Sequence, residues 1–248
     1  MLIDWSTLGL IALAGWYAGA QNVLAGGGSF ITFPTLLLAG IDPLSANITS
    51  TVALFPSQVT SAIAGRKLAG GVPKLPLKVL FVISVAGGIG GALLLLNTPV
   101  RIFVHIVPWL VLFATLIFAW GSFRRKPLHV HQMPALLLAV VQSIIAVYGG
   151  YFGGGIGILM LAALTLAGQQ VRMATATKNV LAMAMNAAAV CVFAPSPKVQ
   201  WHAAVVLAAG GVAGALSGTW LLHKLPEKVL RGFVVAVGAA LTIWLFVR

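Results

Sequence analysis

Acidic side chains are nearly missing from this sequence. Asp4, Asp42 and Glu227 are the only carboxylates in 248 residues, and each falls in a loop or at the terminus. Acid–base chemistry by paired carboxylates therefore has no seat, and neither has a proton relay of acids buried in apolar helices. Cysteine is equally scarce. Cys191 stands alone, which excludes a disulfide framework or a dithiol relay, and its apolar surroundings place it as a small core residue. His105 and His202 sit apart at span edges, and His129 and His131 share a loop with no further ligand, so no metal and no other cofactor is expected. The glycine-rich runs lack the Lys-Ser/Thr of a phosphate-binding loop. These absences weigh against an enzyme.

Charge of either sign is sparse, at 7% of residues against about 25% in soluble domains. Hydrophobic residues make up 60%, and the mean hydropathy is +1.05. This is the composition of an all-α polytopic membrane protein whose first partner is the lipid bilayer. The net charge of +12 sits in short loops beside apolar spans, where it orients the chain and does not bind nucleic acid. Met1-Leu2-Ile3-Asp4-Trp5 carries no basic stretch, so no cleaved signal peptide is expected.

What stands out against this apolar background is glycine. Gly26-Gly27-Gly28 and Gly153-Gly154-Gly155 interrupt two runs that otherwise read as helix. Each internal glycine costs a helix about 1 kcal/mol relative to alanine, so three in succession break it. Ser29 to Ala39 is then about half of the ~20 residues that a span needs. Leu8–Ala39 therefore reads as a broken, re-entrant-type helical hairpin (8–39), followed by spans over 45–65, 77–96 and 101–123. A basic linker, 124–133, ends the first unit, 1–123. The second unit, 134–248, repeats the plan: hairpin 134–167, then spans over 173–193, 201–222 and 229–247.

With the glycine triplets superposed, Ala46-Asn47-Ile48-Thr49-Ser50-Thr51-Val52 falls on Ala174-Thr175-Ala176-Thr177-Lys178-Asn179-Val180, and Ala86-Gly87-Gly88-Ile89 on Ala209-Gly210-Gly211-Val212. The halves read as one duplicated unit. A hairpin plus three spans crosses the membrane an odd number of times, so the repeats are expected to be inverted. On that topology twelve basic residues lie on one side and only Arg101, Lys198 and Arg248 on the other. The positive-inside rule then puts both termini outside the plasma membrane.

Inverted breaks place two half-helix N-termini near the midplane, each with about +0.5 charge and unpaired amides, which suits an anion. The candidate substrate-binding residues are Gly27, Gly28 and Ser29 with Gln21 and Asn22 before the first break, and Gly154 and Gly155 in the second. Thr49 and Ser50, and their counterparts Thr177, Lys178 and Asn179, lie near the start of the span after each hairpin. For Lys178 two readings stand: it meets a bound anion, or it snorkels to the basic surface.

The glycine triplet followed by Phe33-Pro34, the Ala46-x-x-Thr49-Ser50 start of the next helix, and Gly154-Gly155 with Ala174-x-x-Thr177-Lys178-Asn179 resemble the TauE/SafE (sulfite exporter, TSUP) family of bacterial membrane proteins. The resemblance runs over nearly the whole chain and departs from the pattern at Ile48, where a small residue is more usual. It implies a bacterial inner-membrane carrier of a small anion such as sulfite, thiosulfate, sulfoacetate or another sulfonate, with the glycine tips, Thr49-Ser50 and Thr177-Lys178-Asn179 lining its path. An anion-selective channel and a non-transporting scaffold are the alternatives.

Overall fold

The computed structural model describes residues 5–24, 28–123, 133–218 and 227–247. Gly26, Gly27 and residues 124–132 of the linker lie outside the described residues. Regular structure is helical throughout apart from an isolated bridge between Val72 and Leu75. The helices are α1 (Trp5–Leu24), α2 (Ser29–Leu38), α3 (Pro43–Gly65), α4 (Leu77–Asn97), α5 (Val100–Phe123), α6 (Ala135–Tyr151), α7 (Ile156–Leu166), α8 (Val171–Phe193), α9 (Trp201–Ala213) and α10 (Glu227–Val247). Among them α4, α5 and α8 are long and apolar enough to cross a membrane. Val82 and Leu94 on α4, Leu116 on α5 and Ile243 on α10 are exposed on the outside of the bundle, where a soluble protein would carry charge. The chain is an all-α polytopic membrane protein.

Local chemistry ends these helices. At the close of α2 the amides of Gly40 and Ile41 reach back to the carbonyls of Leu37 and Leu36 at 3.0 and 3.1 Å, and at the close of α7 those of Gly168 and Gln169 reach Thr165 and Leu164, both at 3.0 Å. Gly40 and Gly168 both have positive φ, the geometry that this double back-bond requires. The two short helices therefore stop in the same way. Asp42 starts α3 by accepting from the Ser45 amide at 3.0 Å, with Pro43 at the first helical position. One expected span departs from regular form. The run expected over 201–222 is α-helical only to Ala213, and Gly214–Gly218 form a π-helical turn, where Trp16 Nε1 donates to Ser217 Oγ at 3.1 Å.

Packing repeats between the halves. The most extensive contacts are α4 with α6 and α9 with α1; α4 also packs on α8 as α9 does on α3, and α5 on α7 as α10 does on α2. A Cβ added to Gly19 would overlap the Gly211 carbonyl oxygen, and one added to Gly150 would overlap that of Gly88, so both crossings depend on a missing side chain. Measured from these contacts, α1 runs five residues beyond Gly19, whereas α6 runs one beyond Gly150. The first half thus carries an additional turn before its break, and Gln21 and Asn22 are on it.

At the centre cross α3 and α8, unusually polar for membrane helices. Asn47, Ser50, Ser57 and Ser61 on α3 and Thr177, Lys178 and Asn186 on α8 are all buried. Polar side chains at such depth face the bundle interior because hydrocarbon offers them no partner. Cys191, expected in the core, is instead exposed on α8. An apolar neighbourhood in sequence does not distinguish a core position from a lipid-facing one.

Candidate functional site

The second break is built by backbone. Phe152 and Gly153 donate to the Tyr148 carbonyl at 2.8 and 3.3 Å, and the Tyr148 hydroxyl donates to the Gly154 carbonyl at 2.8 Å. Gly155 caps α7 in the left-handed region, with φ +76°. The first amides to bond within α7 are those of Ile158 and Leu159, both onto the Gly155 carbonyl, which leaves the amides of Gly155, Ile156 and Gly157 without a backbone acceptor among the described residues. They form the positive end of the helix dipole.

The first break is made differently. Gly28 is right-handed, with φ −55°, and its amide donates to Asn22 Oδ1 at 2.9 Å. A Cβ there would meet the Ala18 carbonyl oxygen and Asn22 Nδ2 at 2.8 Å, so α2 begins pressed against the additional turn of α1.

Between the breaks lies a cavity of about 70 Å³. At ~10–15 Å³ per water-sized sphere it has room for about five, the scale of an oxyanion of four or five heavy atoms. Asn22 and Ser29 line it from the first hairpin, and Gly153, Gly155, Ile156 and Gly157 from the second. From α3 come Asn47, Ser50, Leu54, Gln58 and Ser61, a stripe at helical spacing, with Thr51 beside it; from α8 come Lys178, Asn179, Ala182 and Asn186. Ser29, Asn47 and Phe152 also line a smaller void, of about 10 Å³, with Gly154, and the Phe152 ring packs edge-on against Phe33.

Lys178 is 5% exposed and lines the cavity, and among the described residues no hydrogen bond or ion pair engages its ammonium. Among the described residues no carboxylate lines the cavity. The lining is thus rich in N–H and O–H donors, with one fixed positive charge, and suits a ligand that only accepts.

Of the residues singled out from sequence, Asn22, Ser29, Ser50, Gly155, Lys178 and Asn179 are brought together here. Gly154 lines only the smaller void, and Gly28 lines neither. Gln21 is 1% exposed, outside the lining, and both of its amide atoms lack a partner among the described residues. Gly27 lies outside the described residues. The lining residues Asn47, Gln58, Ser61 and Asn186 were not singled out. Their signal is the polar stripe along α3 and α8, visible only when those helices are read at a period of 3.6.

Thr49 and Thr177 also stand away from the cavity, both fully buried. Each holds the loop of the other half. Thr49 Oγ1 accepts from the Gln200 amide at 3.0 Å, while Thr177 Oγ1 accepts from the Gly70 amide and donates to the Gly70 carbonyl, both at 3.1 Å. Valine at either position strands a backbone amide, at a cost of about 1–3 kcal/mol. We expect Thr177→Val to lower the melting temperature more than Thr49→Val, since it removes two bonds instead of one. Neither should change a substrate KM, which melting curves and flux assays on the same preparations check.

The sulfite exporter TauE/SafE family profile matches residues 11–245. Among similar proteins, "Probable membrane transporter protein ORF9" of Sinorhizobium sp. is 31% identical over 95% of this chain and 91% of its own length. "Probable membrane transporter protein" of Haemophilus influenzae is 28% identical over 98% of this chain and 95% of its own, and "Probable membrane transporter protein YfcA" of Escherichia coli K12 is 28% identical over 95% and 88%. No solved structure matches the chain. A match spanning both helix breaks and the polar crossing between them means that this chain is a membrane protein of the sulfite exporter TauE/SafE family.

Proposed function

We propose that this protein is a carrier for a small oxyanion of sulfur, of sulfite or thiosulfate size, and not an enzyme. The observation that carries the reading is Lys178: a buried ammonium without a partner among the described residues, in a donor-lined cavity to which no described carboxylate contributes. An isolated charge in a membrane bundle is costly, and an anion held by Lys178, Asn179 and the free α7 amides offsets that cost. Sulfite has four heavy atoms and matches the cavity; sulfoacetate, with eight, needs the cavity to widen.

The two halves act as inverted repeats, each hairpin dipping into the membrane and returning, and alternating access exchanges their conformations. The exchange of packing partners between the halves supports this. The distribution of basic residues supports both termini outside, in a bacterial inner membrane. Export needs no coupling ion, because a monovalent anion leaving an inside-negative cell gains about 2.3 kcal/mol per 100 mV.

Purified protein in liposomes tests this directly. Sulfite flux should saturate, show counterflow and accelerate under an imposed potential. Sulfite or thiosulfate should also raise the melting temperature, whereas the zwitterion taurine, whose ammonium finds no carboxylate here, should not. Flux that rises linearly with concentration, without counterflow, would make the protein a pore. No flux and no thermal shift with any of these anions would end the reading.

A further inference from the structure

Gln58 and Asn186 both line the cavity, and Asn186 Nδ2 donates to Gln58 Oε1 at 2.6 Å across a separation of 128 residues. The same spacing relates Thr49 to Thr177 and Ser50 to Lys178. Gln58 and Asn186 are therefore equivalent positions of the two halves. Equivalent residues touch only where the axis relating the halves passes between them, so this hydrogen bond marks that axis, and it does so at the wall of the cavity.

The pair also has capacity to spare. Each carboxamide offers two donors and an acceptor oxygen. One N–H and one oxygen are used on each other, which leaves both Gln58 N–H groups, one N–H of Asn186 and the Asn186 oxygen, none with a partner among the described residues. Neither residue has a side-chain atom that is both fully enclosed and unbonded, and both residues line the cavity. Lys178 and Ser50 are also equivalent positions, but they differ in charge and exchange places when the halves exchange conformations. The axial pair keeps its place.

We propose that Gln58 and Asn186 form an axial anion-binding pair that holds the oxyanion in both the inward- and the outward-open states, with the direction of their mutual hydrogen bond reversing between them. This rests on the carrier reading above and adds to it a contact that serves both faces.

The experiment measures sulfite KM separately from the inner and outer faces of oriented proteoliposomes for wild type, Gln58→Leu, Asn186→Leu, the exchanged double variant Q58N/N186Q, and Lys178→Gln. Loss of a hydrogen bond to a charged ligand costs about tenfold or more in affinity. Both leucine variants should therefore raise KM about tenfold on both faces, with maximal rates little changed, and the exchanged variant should recover most of that loss. A KM unchanged in folded leucine variants, changed on one face only, or no better in the exchanged variant would overturn the pair. If the leucine variants fail to fold, the exchanged variant and its sulfite-dependent thermal shift decide: a shift as large as wild type's supports the pair, and none overturns it. The carrier reading is judged apart. A raised KM in Lys178→Gln with Gln58→Leu unaffected leaves the carrier standing without the pair, and no saturable sulfite flux in wild type removes both.

Discussion

Substituting methionine for Lys178 should greatly weaken sulfite transport and make the protein more resistant to heat. The two effects have one cause. A unit charge about 4 Å from an anion contributes about 4 kcal/mol at an effective dielectric constant of 20, which is between two and three orders of magnitude in affinity. Removing it should raise the sulfite KM by about that factor. The same substitution relieves the empty protein of an unpaired charge on a side chain that is only 5% exposed, and with it of a desolvation penalty on the order of a few kcal/mol. Lys178→Glu should be worse for transport still, since attraction becomes repulsion. Lys178→Arg keeps the charge but presents a fork in place of a point, and should retain partial flux with altered selectivity. Flux and melting curves on the same preparations check all three. A methionine variant that transports normally would mean that the lysine only snorkels.

The second large effect is expected at Gly155. Its φ of +76° is costly for any side chain and a genuine outlier for a β-branched one. Space is not the limit, because the nearest atom to an added Cβ is the Ala114 carbonyl oxygen at 3.4 Å, an ordinary contact. Strain is. Gly155→Val must either rotate the break out of the left-handed region, turning the amides of Ile156 and Gly157 away from the cavity, or hold that geometry at a cost of more than about 1–2 kcal/mol. Flux should fall about a hundredfold. Gly155→Asn should keep far more activity, because asparagine tolerates left-handed backbone. Equal activity of the valine and asparagine variants would show that the amides at this tip do not bind the anion. By contrast, Gly28 has ordinary right-handed geometry and is limited by contact with Asn22 and Ala18. There alanine should act through packing, and asparagine should offer no rescue.

The class of protein was legible in the chain because membrane helices are written locally: a long apolar run, few charges, and glycine or proline where it stops. Lys178 was legible for a similar reason, since a cation in an apolar run is conspicuous without any knowledge of its neighbours. Thr49 and Thr177 show the limit of such reading. Their matched places in the two halves singled them out correctly as a pair, but a hydroxyl facing a cavity and one bonded to the Gln200 or Gly70 amide look alike in sequence. Gln58 and Asn186 show the converse. Each is an unremarked amide in its own helix, and they gain meaning only because α3 and α8 cross where the two meet.

Composition, run length and helix-ending residues thus sufficed for an all-α bilayer protein with broken helices, because the free energy of inserting a segment depends on that segment alone. Which polar atoms stay unpaired, and which wall they share, followed from the way helices distant in sequence pack against one another. Burial in a bundle is a property of neighbours, and neighbours are set by the whole fold.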